Sequence, residues 1–368
     1  MNFQCDREKL LEAIQICQRA ISGKSMLPIL SGILLKSDKN TLRLSSTDLE
    51  ISIRTTVDIE SKEAGAIVVP ARLIMDILNN LETETVELKL IKEKSQLEIR
   101  AGDSKFNASI FFEEDFPKIP EAAEMPACAI NNADFIRAAR EVVKAASRDE
   151  SKPVLTGVLV EISSSSLRMV ATDSYRLAVC ENQITGGPAE EIKIIVPARS
   201  LKELNRVASG KDGGKVAISL TENQVIFRLE NVDLISRLID GDFPNYKQII
   251  PEGYEKLIKL NKNKAVSGIK RAAIMAQHNS PIKMTATNKQ VILSANTQDV
   301  GEAVEKMEAD YSGDEIKVAF NPEYLLDGIT SIETEEVALE ITDPLKPAMV
   351  KPVGEGGFQY LIMPVRLT

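Results

Sequence analysis

The tetrapeptide Val-Pro-Ala-Arg occurs twice, as Val69-Pro70-Ala71-Arg72 and Val196-Pro197-Ala198-Arg199. Apolar residues follow each copy at helical spacing: Leu73, Ile74, Ile77, Leu78 and Leu81, then Leu201, Leu204, Val207 and Ala208. Three- and four-residue steps put such residues on one helix face. Proline suits a first helical position, so each copy predicts a helix opening at its proline. The neighbours repeat as well. Pro28-Ile29-Leu30-Ser31-Gly32-Ile33-Leu34 returns 125 residues later as Pro153-Val154-Leu155-Thr156-Gly157-Val158-Leu159. Thr47-Asp48 and Thr172-Asp173 share that spacing, and Asp115-Phe116-Pro117 returns 127 residues later as Asp242-Phe243-Pro244. A fainter third copy has Pro281 and Phe320-Asn321-Pro322, where Asn321 can cap and Pro322 can open a helix carrying Leu325, Leu326 and Ile329. A chain of 368 residues therefore reads as three related units, each of domain size. The expected domains are 1–127, 128–253 and 254–368.

The order of elements sets the fold class. The first unit reads as a helix at Asp6 to Ile21, strands at Ile33-Leu35, Thr41-Ser45 and Leu49-Ile53, the helix after Pro70, and strands at Val86-Leu90, Gln96-Arg100 and Phe106-Ile110. Asp38-Lys39-Asn40 and Ser163-Ser166 mark turns. The second unit starts a helix near Asn132, with Phe135, Ala138, Ala139, Val142, Val143 and Ala146 inward; the third starts one near Asn261. The prediction is α+β, with two helices and about eight mostly antiparallel strands per unit.

Several function classes are excluded. No apolar run approaches the ~20 residues that span a bilayer, so no membrane association is expected. Met1 to Asp6 has neither a basic start nor an apolar core, which predicts a cytoplasmic chain. Cys5, Cys17, Cys128 and Cys180 lack metal or redox spacing and read as reduced, buried thiols. The one histidine is His278, and the glycine-rich stretches Gly210-Gly214 and Gly354-Gly357 read as turns, not phosphate cradles. No metal and no cofactor is expected.

Formal net charge is −9, yet the bases gather on predicted helices. Arg137, Arg140, Lys144 and Arg148 face only Asp134 and Glu141 in their segment; Arg199, Lys202, Arg206 and Lys211 face only Glu203; Lys262, Lys264, Lys270 and Arg271 face no acid. Solvated helix faces would account for this. So would a shared surface for phosphates, which would hold DNA without reading its sequence. The absence of tryptophan argues against a platform for stacking single strands.

The chain resembles the bacterial DNA polymerase sliding clamps, the β subunits of the replicative polymerase. The resemblance rests on Leu27-Pro28-Ile29-Leu30, Thr47-Asp48-Leu49-Glu50, Val69-Pro70-Ala71-Arg72, Ala171-Thr172-Asp173-Ser174-Tyr175-Arg176-Leu177-Ala178, Asp242-Phe243-Pro244-Asn245-Tyr246, Tyr311-Ser312-Gly313 and Met363-Pro364-Val365-Arg366-Leu367. It implies a head-to-tail homodimer closing a ring of six domains around duplex DNA, with helices lining the hole. It also implies a pocket where polymerase subunits, the clamp loader and repair proteins insert short linear motifs. The matching residues are Leu155, Thr172, Tyr175, Arg176, Leu177, Pro244, Gln248, Ile249, Tyr324, Met349, Leu361, Ile362, Met363, Pro364 and Arg366. Gln248 stands where the family often has a basic residue, and Pro347 where some members have serine. By position, Lys24, Arg72, Arg137, Lys152 and Arg199 are the expected DNA contacts.

Two other classes fit the residues. One is a duplicated α+β enzyme using Asp240 and Asp242 as acids. The other is a scaffold that uses a peptide pocket without DNA.

Overall fold

The computed structural model describes residues 1–21, 27–121, 125–209, 213–276, 280–298, 300–354 and 356–366. Lys24, Lys211, His278 and Leu367 lie outside the described residues, as do parts of both glycine-rich stretches. Six α-helices are described: α1 (Arg7–Gln18), α2 (Ala71–Asn79), α3 (Asn132–Val142), α4 (Ala198–Val207), α5 (Lys262–Ala273) and α6 (Pro322–Ser331). Each expected unit thus carries two helices, and every strand pairing described is antiparallel.

Helix starts follow local chemistry. The Asp6 carboxylate accepts from the Lys9 amide at 2.9 Å, and the Asn261 side chain accepts from Lys264 at 3.1 Å. Asn321 accepts from the amides of both Glu323 and Tyr324, with Pro322 as the first helical residue. The other two prolines depart from expectation. Pro70 has extended backbone (φ −60°, ψ 117°) and ends a strand, with Ala71 opening the helix. Pro197 likewise ends a strand. Each pairs with a glycine, Pro70 with Gly32 and Pro197 with Gly157, at a sheet edge where no donor is needed. Leu73 also departs: it is exposed, while Ala71, Ile74, Ile77 and Leu78 form the buried face.

The chain divides into two compact units. Residues 1–132 with 206–238 form the first; 133–205 with 239–368 form the second. In the first, an eight-stranded sheet runs Cys128–Asn131, Lys215–Leu220, Gln224–Leu229, Val232–Arg237, Ile51–Asp58, Thr41–Thr47, Gly32–Asp38, Gly65–Pro70. In the second, the order is Ile192–Pro197, Gly157–Ile162, Ser166–Thr172, Arg176–Gln183, Phe358–Ile362, Ala348–Pro352, Glu336–Ile341, Lys256–Asn261. Each sheet is therefore half one repeat and half the next. Strand Val232–Arg237 joins Ile51–Asp58, with Leu234 opposite Ile53. Strand Phe358–Ile362 joins Arg176–Gln183, with Tyr360 opposite Ala178.

A five-stranded sheet of the first unit ends on Ser104–Ser109, and a four-stranded sheet of the second ends on Gly301–Glu308. All four cysteines are buried and free. Burial pushes the Cys17 thiol up to about 12, which keeps it protonated and inert.

Candidate functional site

In the second unit, alternation along the joint strands separates two faces. Leu177 lies opposite Leu361, which lies opposite Met349. These three join Leu159, Val170, Val179, Ile195 and Tyr246 in one buried apolar cluster, with Val154, Ile239, Phe243 and Ile250 packed against it. On the other face, Arg176 pairs with Ile362, which is fully buried.

Arg176 is only 4% exposed and is enclosed by charge and aromatic rings. Its Nε donates to Asp173 at 2.9 Å and its Nη1 to Asp327 at 2.6 Å. The guanidinium lies 4.2 Å from the centroid of Tyr324, a cation–π contact, and Tyr324 stacks on Tyr175 at 6.4 Å. The Tyr360 hydroxyl donates to the Tyr324 carbonyl at 2.8 Å, tying strand to helix. Burial alone would push the guanidinium down, but Tyr360, Asp327 and Asp173 outweigh it and hold it above its ordinary value. Burial also raises the phenols of Tyr360 and Tyr324. Gly328 permits this packing: a Cβ there would meet the Tyr360 ring at 2.5 Å.

The turn before Arg176 is built from short polar side chains. Asp173 accepts from the amides of Tyr175 and Arg176 at 2.9 and 3.0 Å, and Ser174 takes φ +80°. This lifts Tyr175 to 62% exposure while the Met363 amide donates to its carbonyl at 2.9 Å. Ile249 and Met363 are 50% and 39% exposed, unusual for large apolar side chains beside a buried cluster. Pro244, Gln248 and Arg366 are exposed, Tyr324 and Pro364 half-buried, and Leu155 and Thr172 buried. The structure thus gathers Leu177, Met349 and Leu361 on one face and Arg176, Tyr324 and Tyr175 on the other, with Met363 joined to Tyr175 through the backbone. Sequence reading missed Val170, Val179, Phe243 and Tyr246, although strand alternation puts the two valines on the face of Leu177. It also missed Asp327, which is one polar residue among several on α6 and carries no local signal.

Among the expected DNA contacts, Arg72, Lys152 and Arg199 are exposed and Arg137 is half-buried, 3.2 Å from Asp134. The segment from Asp134 to Arg148, helical only as far as Val142 in α3, has a smaller basic excess than its sequence suggests. Arg148 pairs with Glu323 at 3.1 Å, Arg140 pairs with Glu333, and the Lys144 ammonium donates to the Thr330 hydroxyl at 2.8 Å. The acids come from α6 and its end, far away in sequence. On α5, Lys264 and Arg271 likewise meet Glu308 and Glu305. Among the described residues no group of three or more potential metal ligands occurs, and no helix is long and apolar enough to cross a membrane.

Family models for the DNA polymerase III beta subunit match the chain three times. The N-terminal domain matches residues 1–120, the central domain 129–245 and the C-terminal domain 247–366. The beta sliding clamp of Staphylococcus epidermidis is 33% identical over 377 residues, covering 100% of this chain and 99% of that protein. That of Streptomyces coelicolor is 32% identical over 378 residues, with 100% of both covered. Two solved structures agree over 100% of both chains: the DNA polymerase sliding clamp from Bacillus subtilis (TM-score 0.93, 29% identity) and a sliding clamp from Pseudomonas aeruginosa bound to griselimycin (TM-score 0.91, 30% identity). The repeats, the joined sheets and these matches agree: the chain belongs to the bacterial DNA polymerase III beta subunits, the sliding clamps, which are processivity factors and not enzymes.

Proposed function

We propose that two copies of this chain close head to tail into a ring around duplex DNA and tether the replicative polymerase to it. The ring's domains are residues 1–127, 128–253 and 254–368 of each copy. One observation carries this reading. Two sheet joints of one pattern lie within the chain, and the strands of a third joint are left at sheet edges. Phe106 pairs with Ile99 as Leu234 pairs with Phe227 and Tyr360 with Val350. Ala303 pairs with Ala295 as Ile53 pairs with Ser46 and Ala178 with Ala171. The third joint therefore sets Phe106 of one copy opposite Ala303 of the other. Phe106 is 37% exposed, and an open strand edge invites such pairing. The contact is heterologous, and closure after two copies gives a finite ring.

DNA contacts fall to Lys24, Arg72, Arg137, Lys152 and Arg199, which would touch phosphates without choosing a sequence. Polymerase subunits, the clamp loader and repair proteins insert short apolar motifs over the Leu177–Met349–Leu361 cluster, bounded by Tyr175, Met363, Ile249 and Gln248. The griselimycin complex of the Pseudomonas aeruginosa relative supports a ligand site in the family. Tethering makes rebinding intramolecular, at an effective concentration near millimolar for a short connection. No metal or nucleotide is needed by the ring, which works in the cytoplasm.

Retention on nicked circular DNA, loaded by an active clamp loader with ATP, tests the ring. Retention should vanish once the circle is cut. Retention that survives cutting would mean ordinary phosphate binding. Phe106→Asp should yield monomers by analytical ultracentrifugation. Met363→Ala should weaken motif binding while leaving DNA retention intact.

A further inference from the structure

The repeats place a second cleft in the first unit, at the position that the apolar cluster occupies in the second. It has a volume of about 460 Å³ and is lined by Leu34, Lys36, Arg43, Ser45, Arg54 and the segment from Glu113 to Glu121. The 125-residue offset makes Leu34 the counterpart of Leu159, but Ser45 that of Val170, Ser52 that of Leu177 and Arg54 that of Val179. The same pocket position is apolar at one joint and polar at the other.

The charge is inverted too. In the second unit Arg168 is neutralised within its own sheet, by Glu181 at 2.9 Å and Glu161 at 3.3 Å. Its counterpart Arg43 has no such neighbours, because Thr56 stands at the position of Glu181 and Lys36 at that of Glu161. The cations of this cleft turn instead to the chain segment lying over it. Glu121 bridges Arg43 and Arg54, at 3.1 Å each, and Lys36 holds Glu113 at 3.0 Å. Arg54 also donates to the backbone carbonyls of Ile119 at 3.3 Å and Pro120 at 2.9 Å. It thus reads an acidic side chain and the extended backbone before it.

Arg54 is buried, its side chain only 8% exposed, whereas that of Glu121 is 70% exposed. Asp233 reaches Arg54 only at 3.6 Å and is held on both its oxygens by Arg228, at 2.6 and 3.1 Å, so it is a weak substitute for Glu121. A buried guanidinium that loses a carboxylate needs another, while an exposed glutamate can leave for water at little cost.

We propose that this cleft is a second peptide site, one that takes an extended peptide bearing a carboxylate after an apolar-prolyl stretch and is covered by the chain's own residues 117–121. It rests on the repeat and on these contacts, not on ring closure or on the apolar site. The tethered segment competes at an effective concentration near millimolar, so an external peptide binds weakly until the tether is disarmed.

The probe is a fluorescein-labelled peptide, Asp-Phe-Pro-Lys-Ile-Pro-Glu, copying residues 115–121, read by anisotropy on the full chain. Glu121→Gln should bind it at least about tenfold tighter than the unsubstituted chain, as expected when a tethered competitor is removed. Adding Arg43→Ala should abolish that gain, and a probe ending in glutamine should not bind. Equal affinity for Glu121→Gln and the unsubstituted chain would overturn the proposal. So would competition by free glutamate alone, which would make the cleft a simple carboxylate site. Hydrogen exchange gives a reading that needs no substitution. Saturating peptide should speed exchange at the amides of Lys118, Ile119 and Glu121 in the unsubstituted chain. Binding with unchanged exchange there would locate the peptide elsewhere and refute the idea. Binding to the apolar site is read separately with Met363→Ala, so failure of one site is not failure of the other.

Discussion

The two sheet joints share a backbone plan and differ in where they bury an arginine. At the joint of Val232–Arg237 with Ile51–Asp58, Arg54 sits on the face that carries the linker segment and is held by Asp233 and Glu121. At the joint of Phe358–Ile362 with Arg176–Gln183, Arg176 sits on the opposite face, held by Asp173 and by Asp327 of α6. Moving the buried charge across the sheet leaves the stretch of Leu177, Val179 and Leu361 apolar, with Arg168 and its two glutamates at the far end of the same face. A duplicated scaffold thus obtains two faces of contrasting chemistry by exchanging about four side chains. Backbone pairing fixes where a site can be, and strand alternation decides what it can hold.

The sharpest way to break the contrast is Arg176→Ala. It strands the carboxylates of Asp173 and Asp327 and removes the plate under Tyr324. Deleting one partner of a buried ion pair costs about 3–5 kcal/mol, and here a cation–π contact goes with it. The expected outcome is a large loss in thermal midpoint together with loss of motif binding. Arg176→Lys should rescue little, since a point charge cannot serve two carboxylates and a ring at once. Calorimetry and peptide titration on both variants check this.

A chemistry swap comes next. Leu177→Ser gives the second joint the residue that Ser52 supplies at the first. Removing a buried leucine side chain costs about 2–5 kcal/mol, and the apolar site should lose its motif affinity. Ser52→Leu should cost far less, because Ser52 is only partly buried and gives up one hydroxyl contact, to Thr47 at 2.8 Å. Equal destabilisation by both would mean that the two faces differ less than their residues suggest.

Much of this plan is legible in the sequence, and the gaps have physical causes. The buried face of α3, from Phe135 to Val142, is plain from its spacing, and Asn321-Pro322 announces α6; Val143 and Ala146, expected on the same helix, are buried beyond its end, where a 3-10 turn takes over. The strands Asn2–Asp6, Cys128–Asn131 and Lys256–Asn261 escape notice because each is at most six residues long and runs straight into a helix. Gly301–Glu308 escapes for the opposite reason. As an edge strand it carries Glu302, Glu305, Lys306 and Glu308, so no alternation survives to read. The acids that temper α3 and the residues after it come from α6 and the residues after that helix, and no window along one segment can reveal a partner on another. At the site, the apolar cluster is visible through alternation, whereas Asp173 and Asp327 become meaningful only once Arg176 is seen between them.

Where the joints agree, substitution should treat them alike. A Cβ on Gly32 would lie 2.5 Å from the Val68 side chain; on Gly157 it would lie 2.4 Å from that of Ile195. Both glycines face a proline that ends the neighbouring strand. Overpacking of this kind costs about 1–3 kcal/mol. Gly32→Ala and Gly157→Ala should therefore lower stability by similar amounts, whichever site lies beside them. Unequal losses in chemical denaturation would show that the joints differ in rigidity as well as in side-chain chemistry.

The smallest expected effect concerns a charge that only the second joint buries. Glu141 of α3 occupies the position of Ile16 in α1, by the same offset that matches Phe135 to Leu10. Burial raises its carboxyl above the ordinary value, and the contacts with Cys180 and Arg137 only partly counter it. A folded-state pKa above the unfolded one favours the native state most at low pH, and that benefit is lost as pH rises through the folded value. At pH 8 the group is charged and poorly solvated. Glu141→Gln should then raise the thermal midpoint at pH 8, with a gain that shrinks as pH falls into the carboxylate range. A gain of the same size at both ends of that range would trace it to packing, not charge. A loss at pH 8 would show that Arg137 and Cys180 stabilise the carboxylate more than burial penalises it, so that this charge belongs to the joint's design as Arg176 does.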